Sequence, residues 1–406
     1  MSTPVMPSRT LLCLLMLLTA LGEISTQLLI PALGALEHGL AARPGSSLLA
    51  LSLFVAAFGL GQLVLGPLSD RVGRRPVLIG GVAAYLLATL WLLGAGSIEE
   101  FILARVLQGL GACAALVLAR AIVRDVWKEK AAAALPLTVI GMLSAIVLSP
   151  MLGGGLVALG GWRAPVLLTA ILGTLALLAV LLLYRESNPR LDPQAGKLRS
   201  LAGDYFDLLR GRSYRAFALT LACTYGAMFA VVAGSSAVYM RLLGLDALHY
   251  GLTFGAVISG LIVGALFTQR MILRLGPQRI VAIGVTLVLG GGLATVATYQ
   301  LFGLSVLGLS LPQVLVTLGG GMVLPAAVAG AVMPNAHRAG LAAGFMGFAQ
   351  MAGATFSGLL LALLQDGSAQ PMLYLHGLFV LAAFAAFHLL GERPAPVLAG
   401  VAAKQP

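Results

Sequence analysis

The chain has 406 residues, of which 59% are hydrophobic and 10% charged, with a mean hydropathy of +1.00. Ordinary soluble domains carry about 25% charged residues, so a soluble globule is excluded. The net charge of +11 does not mark a nucleic-acid binder, because the cations follow membrane topology rather than forming a patch.

Twelve apolar segments are each long enough to cross a hydrocarbon core of about 30 Å, which takes roughly 20 helical residues. They lie near 10–33, 46–68, 76–96, 99–122, 134–157, 162–184, 215–240, 249–271, 278–299, 302–328, 339–363 and 371–391. Text rich in Ala, Leu and Gly at helical periodicity excludes an outer-membrane barrel, whose strands alternate over about ten residues. With the N-terminus placed in the cytoplasm, only Arg43, Arg163 and Arg241 fall on the far side, and only Arg105 lies within a span. The positive-inside rule therefore places both termini inside.

The first span runs on apolar from Thr10 to about Leu33 without a small-residue cleavage site, and is read as a retained helix rather than a signal peptide. Glu23, near its midpoint, is the one carboxylate at bilayer depth. A charge there costs at least ~2.5–3.5 kcal/mol, so it faces a cavity or a partner. Burial favours the neutral form of a carboxyl, which makes Glu23 a candidate proton carrier; a structural acid paired with an arginine is the alternative. Gln27 follows one turn on, on the same face, with both a donor and an acceptor to offer a ligand.

Between the second and third spans stands Gly66-Pro67-Leu68-Ser69-Asp70-Arg71-Val72-Gly73-Arg74-Arg75, read as a tight basic turn with one acid. Half a chain length later Arg274, Gly276 and Gly264 repeat Arg71, Gly73 and Gly61 at one constant offset, with Leu273 where the first copy has Asp70. A duplicated membrane half lets two similar bundles rock about a central site.

The fourth span holds Arg105, followed by Gln108 and Gly109, and ends at Arg120, Arg124 and Asp125. A buried arginine needs an acceptor, and its fixed charge can act on the acid of the first span; snorkelling to the interface is the alternative. The fifth span carries Met142, then Ser149-Pro150-Met151-Leu152-Gly153-Gly154. Pro150 removes a helix hydrogen bond and the glycines permit close packing.

Residues 185–214 are the one long polar stretch and divide the spans six and six, giving bundles over 1–184 and 215–391 and a tail over 392–406. Gly203 to Arg212 is amphipathic, suited to a membrane surface or to an ordinary connector. The tail is expected to be disordered. In the second half Tyr225, Met228 and Phe229, and Phe345, Phe348 and Met351, share helical faces, as an adaptable apolar wall or as packing and lipid contacts. Cys13, Cys113 and Cys223 read as buried free thiols, and the five histidines are scattered near span ends. There is no metal spacing, catalytic constellation or phosphate-binding loop, which excludes ATP-driven transport within this chain and argues against an enzyme.

The turn at Gly66–Arg75 resembles the G-x-L-x-D-R-x-G-R-R signature of the major facilitator superfamily, and Arg105-x-x-Gln108-Gly109-x-Gly111 is similar to its R-x-x-Q-G-x-G. Ser149-Pro150-x-x-Gly153-Gly154 resembles the antiporter signature ending G-P-x-x-G-G. Pro31-Ala32-Leu33 resembles the D-x-Y-L-P-A-L of bicyclomycin- and chloramphenicol-resistance exporters, as do Arg120–Asp125 and Gly161-Trp162-Arg163. Aligned on Pro31, Gln27 takes the place of the family Asp and Leu29 that of the Tyr, and Glu23 substitutes from one turn away.

The resemblance implies an all-α polytopic membrane protein of twelve transmembrane helices in two pseudo-symmetric six-helix bundles. It implies proton-coupled efflux of small amphipathic compounds, antibiotics and phenicols included, across the bacterial inner membrane. Proton coupling falls to Glu23 and Arg105. Gating falls to Asp70, Arg71, Arg74, Arg75, Arg120, Arg124, Pro150, Gly153 and Gly154, with the counterpart of Asp70 meeting a neighbouring helix N-terminus. Substrate contact falls to Gln27, Met142, Tyr225, Phe229, Phe345 and Phe348. The expected partners are an amphipathic small molecule, protons and lipid, with a monomer working on the proton gradient and no cofactor, metal or nucleic acid. A metabolite, sugar or amino-acid-derivative exporter of the same fold is the alternative, and a non-transporting receptor or scaffold the alternative of another class.

Overall fold

The computed structural model describes residues 7–188, 191–192 and 198–391, and all regular structure among them is helical. The helices are α1 (Arg9–Gln27), α2 (Leu33–Gly39), α3 (Ser46–Val72), α4 (Arg74–Gly94), α5 (Ile98–Trp127), α6 (Ala131–Gly160) and α7 (Arg163–Leu183). After the connecting segment come α8 (Leu198–Arg210), α9 (Arg212–Ser236), α10 (Ala247–Phe302), α11 (Val306–Val332), α12 (Ala339–Leu364) and α13 (Gln370–Leu390). The expected disordered tail lies outside the described residues.

Among the described residues, eleven helical stretches are long and apolar enough to cross a membrane. One, α10, has 56 residues and breaks at Gly276 (φ 75°, ψ 158°), so it crosses twice and makes twelve crossings in all. Unbroken, it would reach about 84 Å, well over twice a hydrocarbon core. The matching corner in the first half is Gly73 (φ 111°, ψ 151°). The duplicated glycines thus serve as duplicated corners, in a conformation that a Cβ would strain.

The tight turn read over Gly66–Arg75 narrows to one residue. α3 continues through Val72, α4 begins at Arg74, and Gly73 alone makes the corner. Pro67 does not stop α3, because the carbonyl it deprives, that of Leu63, accepts a 3.1 Å hydrogen bond from the Tyr205 hydroxyl of α8. Pro312 inside α11 is treated alike, with Gly308 O accepting from Thr298 Oγ1 at 2.8 Å. A proline frees the carbonyl four residues back, and hydrocarbon holds no water to satisfy it.

α8 starts before the predicted Gly203 and packs onto the bundle. Leu208 is buried, Tyr205 lies 5.6 Å from Phe345 between ring centroids, and Asp204 pairs with Arg338 at 3.3 Å. Burial, with Asp204 beside it, pushes the Tyr205 phenol up to about 12, so it remains a neutral donor. The connector therefore bonds α3 on one side and the corner before α12 on the other.

Two seams join the first six crossings to the last six, and glycine makes both. Along α3 and α12, a Cβ on Gly59 would stand 2.6 Å from that of Met351. Along α6 and α10, a Cβ on Gly255 would stand 2.8 Å from Met151 Cγ, Gly251 backs onto Pro150, and Gly154 backs onto Ala247. Gly153 meets Leu28 and Pro31, where α1 breaks. Pro150, Gly153 and Gly154 thus lie where α6 packs against α10 and the break after α1.

Valine at position 154 has no space against the Ala247 carbonyl. Gly154→Val should push the ends of α6 and α10 apart, read as a longer distance between spin labels at the exposed Leu159 and Leu248. An unchanged distance distribution would show that glycine does not limit this contact.

Candidate functional site

A cavity lies between the two halves, with α1 providing its polar edge. Pro31 has no N–H for the Gln27 carbonyl, so α1 ends there, makes one 3₁₀ turn over Ile30–Ala32 and resumes as α2. Glu23 and Gln27 both line the cavity beside this break. Gln27 Oε1 is buried and has no hydrogen-bond partner among the described residues. The walls are apolar: Phe54 and Phe58 of α3, Ile146 of α6, Tyr225 and Phe229 of α9, Phe254 of α10 and Met351 of α12. Gln313 and Thr317 of α11 add the polar groups opposite α1.

Of the substrate residues expected from sequence, Gln27, Tyr225 and Phe229 meet here, and Met142, Phe345 and Phe348 do not line the cavity. Ile146, one turn beyond Met142, takes the place expected for it. Phe345 and Phe348 lie one to two turns nearer the start of α12 than the cavity-lining Met351. There Phe345 packs on Tyr205 and Tyr214, and Phe348 on Phe345 at 5.7 Å. One sequence gives the face a residue shares but not the depth at which a neighbouring helix covers it.

Arg105 is fully buried yet does not line this cavity. Its guanidinium lies 3.8 Å over the Phe54 ring and donates to Gln108 Oε1 at 2.5 Å and to Ser25 O at 3.4 Å. Among the described residues no ion pair joins it to Glu23.

At the end holding Gly73, Arg74 is buried and ties three elements together. It meets Asp70 Oδ1 at 2.6 Å, Asp125 Oδ2 at 3.0 Å and Ser69 Oγ at 2.5 Å. The acid that faces a helix N-terminus is not Asp70 but Glu186, which follows α7. It accepts from the backbone N–H groups of Arg74 and Arg75 at 3.1 and 2.9 Å. Arg75 also donates to Leu181 O at 3.2 Å, whereas Arg71 and Arg124 are exposed. The role of Glu186 carried no local signal, since a carboxylate in a polar connector looks like any solvated charge.

Two further readings change. Only Cys113 of the three thiols is buried; Cys13 is exposed and Cys223 half-buried. His376 is not near a span end but wholly buried within α13, bonded to Gln313.

A twelve-crossing bundle with duplicated corners and a cavity between its halves has the architecture of a transporter, and residues 15–358 match the family described as the Major Facilitator Superfamily. The chain belongs to the major facilitator superfamily. Multidrug resistance protein D of Escherichia coli K12 is 29% identical over 375 residues, covering 91% of this chain and 93% of the relative. The uncharacterized transporter YdgK of Bacillus subtilis is 31% identical over 351 residues, covering 82% and 84%. A chloramphenicol resistance protein of Pseudomonas aeruginosa is 29% identical over 326 residues, covering 79% and 76%. Among solved structures, the peptide transporter POT superposes with a TM-score of 0.78 at 15% identity, covering 96% of each chain, which speaks for the fold alone. Members of this superfamily are transporters, and this one is a multi-pass membrane protein.

In this superfamily member the Glu186 cap is the testable part of the charged corner. Glu186→Gln removes the charge facing the start of α4, a loss of about 1 kcal/mol. It should lower the midpoint of thermal unfolding in detergent, while Arg71→Gln, at an exposed position, should leave it in place.

Proposed function

We propose that this protein exports small amphipathic compounds, antibiotics among them, across a bacterial inner membrane in exchange for protons. The observation that carries the reading is Glu23, an acid midway along the first crossing beside the helix break, lining a largely apolar cavity between the halves. Sites at the interface of repeats, near discontinuous helices, are where rocking bundles can expose one ligand to either side in turn. An apolar enclosure with few polar groups suits drug-like amphiphiles, and the relatives named for multidrug and chloramphenicol resistance support the same class.

In this reading the halves 1–184 and 215–391 rock about the cavity, joined by 185–214, with both termini in the cytoplasm as the positive charges require. Glu23 takes a proton when the cavity faces outward and gives it up when the cavity faces inward and substrate enters. Asp70, Arg71, Arg74, Arg75, Arg120 and Arg124 make and break contacts at the cytoplasmic end. Pro150, Gly153 and Gly154 close the outer one. The protein works as a monomer on the proton gradient, without a cofactor.

Glu23→Gln is isosteric and fixed in the neutral state. It should abolish substrate efflux driven by a pH gradient in proteoliposomes while leaving expression unchanged, and undiminished coupled efflux would remove Glu23 from the mechanism.

The wall aromatics should set the substrate profile rather than the coupling. Burying an aromatic side chain against a ligand is worth roughly 1.5–3 kcal/mol at most, and 1.4 kcal/mol is one decade in affinity. Phe254→Ala should therefore change resistance by about tenfold for some compounds and spare others. Phe348→Ala, outside the cavity, should leave the profile unaltered. Resistance spectra in a pump-deficient host compare the two.

A further inference from the structure

Each half contains a buried glutamine that donates to a threonine on the preceding crossing. Gln108 Nε2 bonds Thr89 Oγ1 at 2.8 Å, and Gln313 Nε2 bonds Thr295 Oγ1 at 2.9 Å. The two amides then part company. In the first half, Arg105 donates to the glutamine carbonyl at 2.5 Å and occupies it. In the second half, His376 stands instead on the nitrogen side, with its Nε2 3.1 Å from Gln313 Nε2.

With a neutral imidazole at His376, the hydrogens of the second network have one consistent arrangement. His376 Nδ1 lies 2.8 Å from the Ala227 carbonyl, which only accepts, so Nδ1 carries the ring hydrogen and Nε2 is bare. The Thr295 hydroxyl is spent on the Gly291 carbonyl at 2.9 Å, so its oxygen too offers only lone pairs to Gln313. Both neighbours therefore call for N–H, and the amide must present its nitrogen to them. Turned about, it would set Oε1 against two lone pairs. Gln313 Oε1 takes no hydrogen bond from any described residue, and Gln313 lines the cavity.

We infer that His376 is a positioning residue that holds the Gln313 amide with both hydrogens turned away, leaving its carbonyl as a fixed acceptor for an N–H or O–H donor on the transported molecule. The inference rests on the cavity being the substrate site. It adds a chemical class, because an apolar body bearing a hydrogen-bond donor fits this wall and the same body with that donor methylated does not.

The test uses two monocationic dyes with one skeleton, rhodamine 123, whose amino groups carry N–H, and tetramethylrhodamine methyl ester, whose amino groups are fully methylated. Fluorescence anisotropy on the purified full-length protein gives the ratio of the two affinities. One hydrogen bond of ordinary strength is worth about tenfold in that ratio. Gln313→Leu and His376→Phe should each lower the ratio by about that factor relative to the wild type. His376→Gln, which sets an amide oxygen where Nε2 stands, should restore it. Gel filtration and retained binding of the methylated dye show that the His376 variants are folded. An unchanged ratio in folded His376→Phe overturns the inference, and should that variant not fold, an unchanged ratio in Gln313→Leu does so. Failure of the wild type to bind either dye overturns instead the reading of the cavity as a drug site, and this inference with it.

Discussion

Hydrocarbon offers no hydrogen-bond partner to a peptide group, and nearly every feature of this molecule answers that constraint. It makes each crossing helical, and it also makes each interruption of a helix an obligation on a neighbour. Leu63 O and Gly308 O, both freed by prolines, are met by Tyr205 and Thr298 from other segments. The same pressure pairs Gln108 with Thr89 and Gln313 with Thr295, and brings Glu186 to the start of α4. Glu23, Gln27 and Gln313 line the cavity, while Thr220, Thr224 and Ser357 keep buried hydroxyls with no hydrogen-bond partner among the described residues.

Close approach is the second consequence. Helices in lipid gain little from burying apolar surface against one another, so packing has to come from contact, and contact from missing side chains. Glycine serves both within a half and between halves. Gly61 lies where a Cβ would stand 2.9 Å from Cys113 Sγ of α5, and its counterpart Gly264 packs as tightly on α11. The seams at Gly59, Gly251 and Gly255 instead join the two halves. α8 bonds both halves, Tyr205 to Leu63 O and Asp204 to Arg338.

Duplication has preserved scaffold and divided chemistry. The two corner glycines have kept one conformation. At the neighbouring position, Asp70 in the first copy pairs with Arg74, whereas Leu273 in the second is 96% exposed. The cavity shows the same division, with the acid on α1 and an acceptor amide backed by a histidine on α11.

The sequence by itself determined the membrane setting, the number of crossings, the repeat and its corner glycines, and the candidate acid, because each depends on local composition or on periodicity along one chain. It also placed Gln27, Tyr225 and Phe229 on faces that meet at the cavity. What it left undetermined depends on the rotation and depth of one helix against another. That is why Phe345 belongs with Tyr205 rather than with the cavity, why Ile146 stands where Met142 was expected, and why Arg105 bonds Gln108 and Ser25 rather than Glu23. Glu186 at the start of α4 and His376 behind Gln313 lie more than a hundred and some sixty residues from the groups they serve. Such partners are chosen by which backbone and amide groups the packed bundle leaves unsatisfied, and only the tertiary structure decides that.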